Sequence, residues 1–276
     1  MLLDLLIHIV EQGLIYSLVV IAVFLTSRVI RFDDLTVEGS FGFGGALASL
    51  VFLFDLSPWL TLPIASIGGA TSGLLTGLLH TRLKINNLIS GLVVTTGLFS
   101  IALKLAGSNV VLAESATLFG TLPPLPALAA VAIGSWFAVS LLLRSEVGLL
   151  LKTVGGNPQM LTNLGRDVAH YKILALMVAN TLTALAGALF TQWCGFFSIT
   201  ANVGTLIIGL AGLILGETMR LGCGWCLIAG AIVYQALFAL TVEMQLSPVW
   251  NNLIKAALII ILIQLQSGRQ LQRCRS

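Results

Sequence analysis

Of the eleven acidic residues in this 276-residue chain, three fall within six positions: Asp33, Asp34 and Glu38. Thr36 and Ser40 stand among them, and Arg28 and Arg31 precede them closely enough to pair with them. In apolar surroundings such charge is costly, so it must face a cavity, a counter-charge or water. The cluster is either a broken-helix element lining a solute pathway or an interfacial loop marking the end of a span. In the first case its unwound backbone and carboxylates would serve a substrate amine or a gate. A catalytic dyad is disfavoured, because neighbours such as Asp33 and Asp34 point in different directions on a helix or a strand. A second polar stretch, with Thr200, Asn202 and Gly204, is the counterpart candidate in the other half of the chain.

Other chemistries leave no motif. There is no G-x-x-x-x-G-K-[ST] phosphate loop, so the chain is not expected to bind ATP itself. A helical H-E-x-x-H and a G-x-S-x-G nucleophile elbow are also missing, so no enzyme is expected. His8, His80 and His170 are scattered without metal-ligand spacing, and neither a metal nor another cofactor is expected. Cys223 and Cys226 form a C-x-x-C that reads as packing at the mouth of a span, with redox or metal chemistry as the rival reading. With Cys194 and Cys274 they make no disulfide framework.

The elements that position these residues are membrane spans. The chain is 57% hydrophobic and 9% charged, whereas about a quarter of residues are charged in soluble domains. That composition indicates an all-α polytopic membrane protein. The net charge of +3 matters through its distribution among loops rather than as a nucleic-acid surface. No Lys or Arg precedes the first apolar run, so a cleaved signal peptide is not expected.

Apolar runs predict about nine membrane-embedded helical segments: 9–30, 41–54, 58–79, 85–105, 127–143, 173–193, 206–215, 226–242 and 249–265. Those at 41–54 and 206–215 are short and Gly-rich. Placing Arg82, Lys84, the basic residues of 144–172, Arg220, Arg269, Arg273 and Arg275 on one side leaves Asp55, Glu114 and Glu243 on the other. Lys104 is the exception. The N-terminus is then outside and the C-terminus cytoplasmic. Glu11 falls near the outer interface or, as the rival reading, lines the pathway, and Lys104 and Lys255 reach the outer surface by snorkelling. Trp59, Trp193 and Trp250 sit near span ends, as aromatic anchors do, and Glu217 is within reach of Arg220.

A polar stretch followed by a short Gly-rich run occurs twice, each time after one long span and before two more. The five-span offset reverses direction, so the halves are expected to be inverted repeats. One domain, 1–276, then divides into a first repeat at about 1–105, a linking span at 125–143 and a polar segment at 144–172. A second repeat at about 173–266 and a tail at 267–276 complete it.

Residues 148–172 are the longest polar interruption. Asn157 is a ready N-cap, Pro158 suits the first helical position, and Gly165 can close the helix. The spacing predicts a helix over 158–164 with Met160, Leu161 and Leu164 on one face, entered through Gly155 and Gly156. So short a helix is unstable alone in water. It either joins two spans or is built to press on another protein.

The run G-x-x-x-x-x-V-G-x-N-P-x-M-x-x-x-x-G, residues 148–165, resembles the coupling-helix segment of ABC importer permeases of the branched-chain amino-acid type. Residues 31–41, RFDDLTVEGSF, resemble the F-P-D-L-T-V-D-G-S-F signature of a branch that includes tryptophan/tyrosine importer permeases. Asp33 stands where that signature has Pro, and Glu38 where it has Asp. Residues 100–107 and 209–217 extend the likeness over most of the chain.

The resemblance implies a permease subunit in a bacterial inner membrane, importing an amino acid or other small solute. Its partners would be a second permease copy, two copies of an ATP-binding subunit and an extracytoplasmic substrate-binding protein. Coupling would fall to Gly155, Gly156, Asn157, Pro158, Met160, Leu161, Leu164 and Gly165. On the residues alone, an ion-coupled transporter using Asp33, Asp34 or Glu38 and a membrane scaffold remain the rival readings.

Overall fold

A backbone in hydrocarbon must satisfy its own hydrogen bonds, and this chain does so with helices. The computed structural model describes residues 2–112, 117–120, 123–219 and 224–243, with Ala257. The expected ninth span and the tail lie outside the described residues, as do Glu114, Arg220, Cys223, Trp250, Lys255 and Cys274.

Helix α1 (Leu2–Phe24) runs into a π-helical turn (Leu25–Val29), and α2 covers Thr36–Leu53. Helices α3 (Thr61–Thr81) and α4 (Asn87–Ala106) follow, then strand β1 (Asn109–Val111) and α5 (Pro124–Arg144). Two short helices, α6 (Glu146–Gly156) and α7 (Pro158–Asn163), lead to α8 (Val168–Cys194). Strand β2 (Phe196–Ser198), α9 (Thr205–Met219) and α10 (Trp225–Glu243) complete the described order. Six of these helices are long and apolar enough to cross a membrane, and α9 and α10 are shorter apolar helices.

Two expectations need correcting. The first Gly-rich segment is not short. Asp34 Oδ1 accepts the Thr36 N–H at 2.9 Å, which starts α2 at Thr36. Thr36, Glu38 and Ser40 are therefore helical, and only the turn before them is unwound. The polar segment after α5 also holds an additional helix, α6, which Ser145 caps by accepting the Gly148 N–H. Helix α7 begins at Pro158, with Asn157 accepting the Met160 N–H and Gly165 in the left-handed region at φ +69°.

Helix α8 is the centre of the packing, with α2 and α3 against it and α1 beside it; α9 and α10 pack on α1. The α2–α8 approach depends on two glycines facing opposite ways. A Cβ on Gly44 would enter the shell of the Ala184 carbonyl oxygen, and one on Gly187 that of the Phe41 carbonyl oxygen. Strands β1 and β2 pair antiparallel, Asn109 opposite Ser198, beyond the C-terminal end of α8. That end is opposite the one carrying α6 and α7. Gly187→Val is expected to cost about 1–3 kcal/mol through overpacking. Thermal unfolding of the purified chain checks this, and an unchanged Tm would rule out the close approach.

Candidate functional site

Three of the candidate residues, Asp34, Thr36 and Ser40, meet inside the bundle. Asp34 is 4% exposed. Its Oδ2 accepts a hydrogen bond from Asn180 Nδ2 at 2.8 Å, while Asn180 Oδ1 accepts from Ser40 Oγ at 2.7 Å. Ser40 Oγ also lies 2.6 Å from Ser72 Oγ on α3, and Thr36 Oγ1 lies 2.7 Å from Thr76 Oγ1. The start of α2 is thus locked to α3 and α8 by side chains alone. Burial pushes the Asp34 carboxyl up from its ordinary range, and hydrogen bonds from Thr36 and Asn180 oppose that shift.

Glu38 does something different. Its Oε1 accepts the Gly204 N–H at 2.8 Å, joining α2 to the residue that precedes α9. The two polar stretches of the sequence therefore meet through this bond. A cavity of about 80 Å³ beside it is lined in part by Glu38, Gly42, Thr95, Ile199 and Val203. Asp33 is exposed, as is Thr200, whose hydroxyl lies 3.1 Å from Ser198 Oγ. Asn202 ends the 3-10 turn before α9.

At the other candidate region, α7 is split between body and solvent. Leu161 is 0% exposed and belongs to the main core, whereas Met160 is 55% and Leu164 60% exposed. The expected shared face is thus corrected: Leu161 anchors the helix, and only Met160 and Leu164 are free for contact. Upstream, α6 rests on the π-turn, where a Cβ on Gly155 would meet the Val29 carbonyl oxygen. Gly156 has open space around it. Within the π-turn, Arg28 does not pair with the neighbouring carboxylates. Its Nε and Nη2 donate to Glu217 Oε1 and Oε2 at 2.6 and 2.7 Å, at the end of α9. Arg220, the expected partner of Glu217, lies outside the described residues.

The comparisons with known proteins give the family. The family described as "Branched-chain amino acid transport system / permease component" matches residues 5–263. The chain belongs to this family. It is an ABC importer permease of the branched-chain amino-acid superfamily, a multi-pass membrane protein and a transport subunit rather than an enzyme. It is 33% identical over 269 residues to a tyrosine transport system permease protein of Clostridioides difficile, covering 95% of this chain and 90% of that one. A ribose import permease protein of Haemophilus influenzae is 23% identical over 201 residues, covering 68% and 61%. A solved structure of a putative metal-chelate type ABC transporter in an inward-facing conformation shares the fold, with TM-score 0.52 and 15% identity. That match covers 95% of this permease and 85% of the solved chain.

Sequence reasoning about the permease missed Asn180, Ser72 and Thr76, although a lone Asn in the apolar run of α8 is itself a signal. Asn180→Ala strips a donor from Asp34 and an acceptor from Ser40, at an expected cost of about 1–3 kcal/mol. The Asp34→Ala/Asn180→Ala double variant is expected to lose less than the sum of the single losses. Additive losses in thermal unfolding would show that the two residues are not coupled.

Proposed function

We propose that this permease translocates an amino acid or another small solute in an ATP-driven importer. Two copies form a homodimer on two separate ATP-binding subunits, and an extracytoplasmic binding protein delivers the solute. The relative named as a tyrosine system supports the amino-acid class. The observation that carries the reading is the division of α7. Leu161 and Gly155 hold the segment to the bundle, while Met160 and Leu164 present apolar surface at its outer edge. Such a capped helix suits a groove on a partner, with Asn157, Pro158 and Gly165 fixing its ends and Gly156 its entry.

Nucleotide-driven closure of the partners would move α7, and α6 would pass that motion to the π-turn. From there it reaches α2 through the backbone and α9 through Arg28 and Glu217. The gate in this account is the contact of Glu38 with Gly204, flanked by Thr200, Asn202 and Asp33 and braced by Asp34, Thr36 and Ser40. Arg144, Lys152, Arg166 and Lys172 flank α7 in sequence, and Arg82 and Lys84 follow α3, whose His80 meets Lys172 near the start of α8; this supports a cytoplasmic location for the α7 end in the inner membrane. The N-terminus is then outside and the C-terminus inside, with nine membrane-embedded segments. The packing of α1 on α10 and of α3 on α8 is the exchange that inverted repeats over 1–105 and 173–266 would produce.

Purification from native membranes in mild detergent tests the reading. An ATP-binding subunit is expected in equal amount to the permease, and Leu164→Asp is expected to release it without lowering the Tm. A permease that purifies alone and moves solute into liposomes without nucleotide would replace this account with ion-coupled transport.

A further inference from the structure

At the end opposite α7, a cavity of about 480 Å³ lies between the first turns of α1, the last turn of α8 and the segment leading into α5. Three of its lining residues are buried polar groups, Glu11 and Thr117 at 3% exposure and Gln192 at 4%. Glu11 Oε2 accepts the Trp193 Nε1–H at 3.0 Å and stands 3.5 Å from Nδ1 of the exposed His8. Gln192 Oε1 accepts the Leu118 N–H at 3.1 Å. These contacts use one carboxylate oxygen and one end of the amide. Among the described residues, Glu11 Oε1 and Gln192 Nε2 have no hydrogen-bond partner, although both side chains line the cavity. Trp193 and Phe119 supply aromatic surface beside them.

A neutral acceptor would be enough to hold the Trp193 indole. A carboxylate does more: its second oxygen is open to whatever enters this aromatic-lined cavity, where it attracts a cation more strongly than it would in water. We propose that this cavity binds a small solute bearing a primary ammonium group, with Glu11 Oε1 as its counter-charge. Trp193 and Phe119 face the cation and the apolar part of the solute, and Gln192 Nε2 donates to an acceptor on it. The inference rests on the import reading only where it calls this solute a transport substrate. Binding itself requires neither ATP nor a partner.

The test is equilibrium binding to the purified chain in lipid nanodiscs. It compares tyramine with tyrosol, which differ only in an ammonium against a hydroxyl group. Tyramine is expected to bind saturably and about tenfold or more tightly than tyrosol, as a charge-assisted bond requires. Glu11→Gln keeps an acceptor for Trp193 and is expected to remove that preference without lowering the Tm. Gln192→Leu, which keeps the carboxylate, is expected to retain the preference. Equal binding of the two probes, no saturable binding of tyramine, or full tyramine affinity in Glu11→Gln would each overturn the site. Because the chain is assayed alone, failure to find an ATP-binding partner leaves this result intact, and failure of binding leaves the import reading intact.

Discussion

A carboxylate buried among apolar helices cannot be left unmatched, and the first half of this permease is arranged around one. Asp34 has its two oxygens matched by the Thr36 N–H and the Asn180 amide. Removing either partner strands a buried acceptor, which costs more than the bond itself contributes. Asn180 on α8 also accepts from Ser40, and Ser72 and Thr76 on α3 bond to Ser40 and Thr36, so the network that begins at Asp34 fixes where α2 begins. Glu38 lies one turn further on and is thereby aimed at the start of α9. One buried group thus sets the place where the two polar stretches meet.

The opposite constraint operates at the π-turn, which joins strong and weak links. Its inner face is tied down: Thr26 Oγ1 bonds back to the Val23 carbonyl, and the Phe32 N–H reaches the Thr26 carbonyl. A π-turn in an otherwise regular helix leaves the local ladder less regular, a frequent feature of functional sites. The Arg28–Glu217 pair is bidentate but partly exposed, so it guides geometry more than it adds stability. Gly155 brings α6 into van der Waals contact with the Val29 carbonyl, and in the proposed function this joint would transmit a push without resisting release. A polar lock at the start of α2 and a looser joint before it would suit the rocking motion of the proposed function.

Much of this was legible in the chain. The long spans follow from hydropathy, and α7 from the succession of Asn157, Pro158 and Gly165, because caps act locally. What depended on three-dimensional neighbours was not legible. Thr36 to Ser40 read as unwound because their polarity breaks the apolar run, yet the partners that make a helix tolerable there come from α3 and α8. Leu161 shares helical spacing with Leu164, but periodicity cannot say which of two apolar positions the bundle covers. Arg28 lies 189 residues from Glu217, and local charge spacing favoured the wrong carboxylates. Glu11 was placed near the outer interface by its position; its cavity emerged only from the meeting of α1, α8 and the segment before α5.

The central claim is that motion of α7 reaches the spans through the contact of Gly155 with Val29. ATP hydrolysis and solute uptake measured together in the reconstituted complex carrying Gly155→Val test it most directly. The account predicts that hydrolysis continues while the solute moved per ATP falls sharply. An unchanged ratio of uptake to hydrolysis in a variant that folds and assembles normally would contradict it.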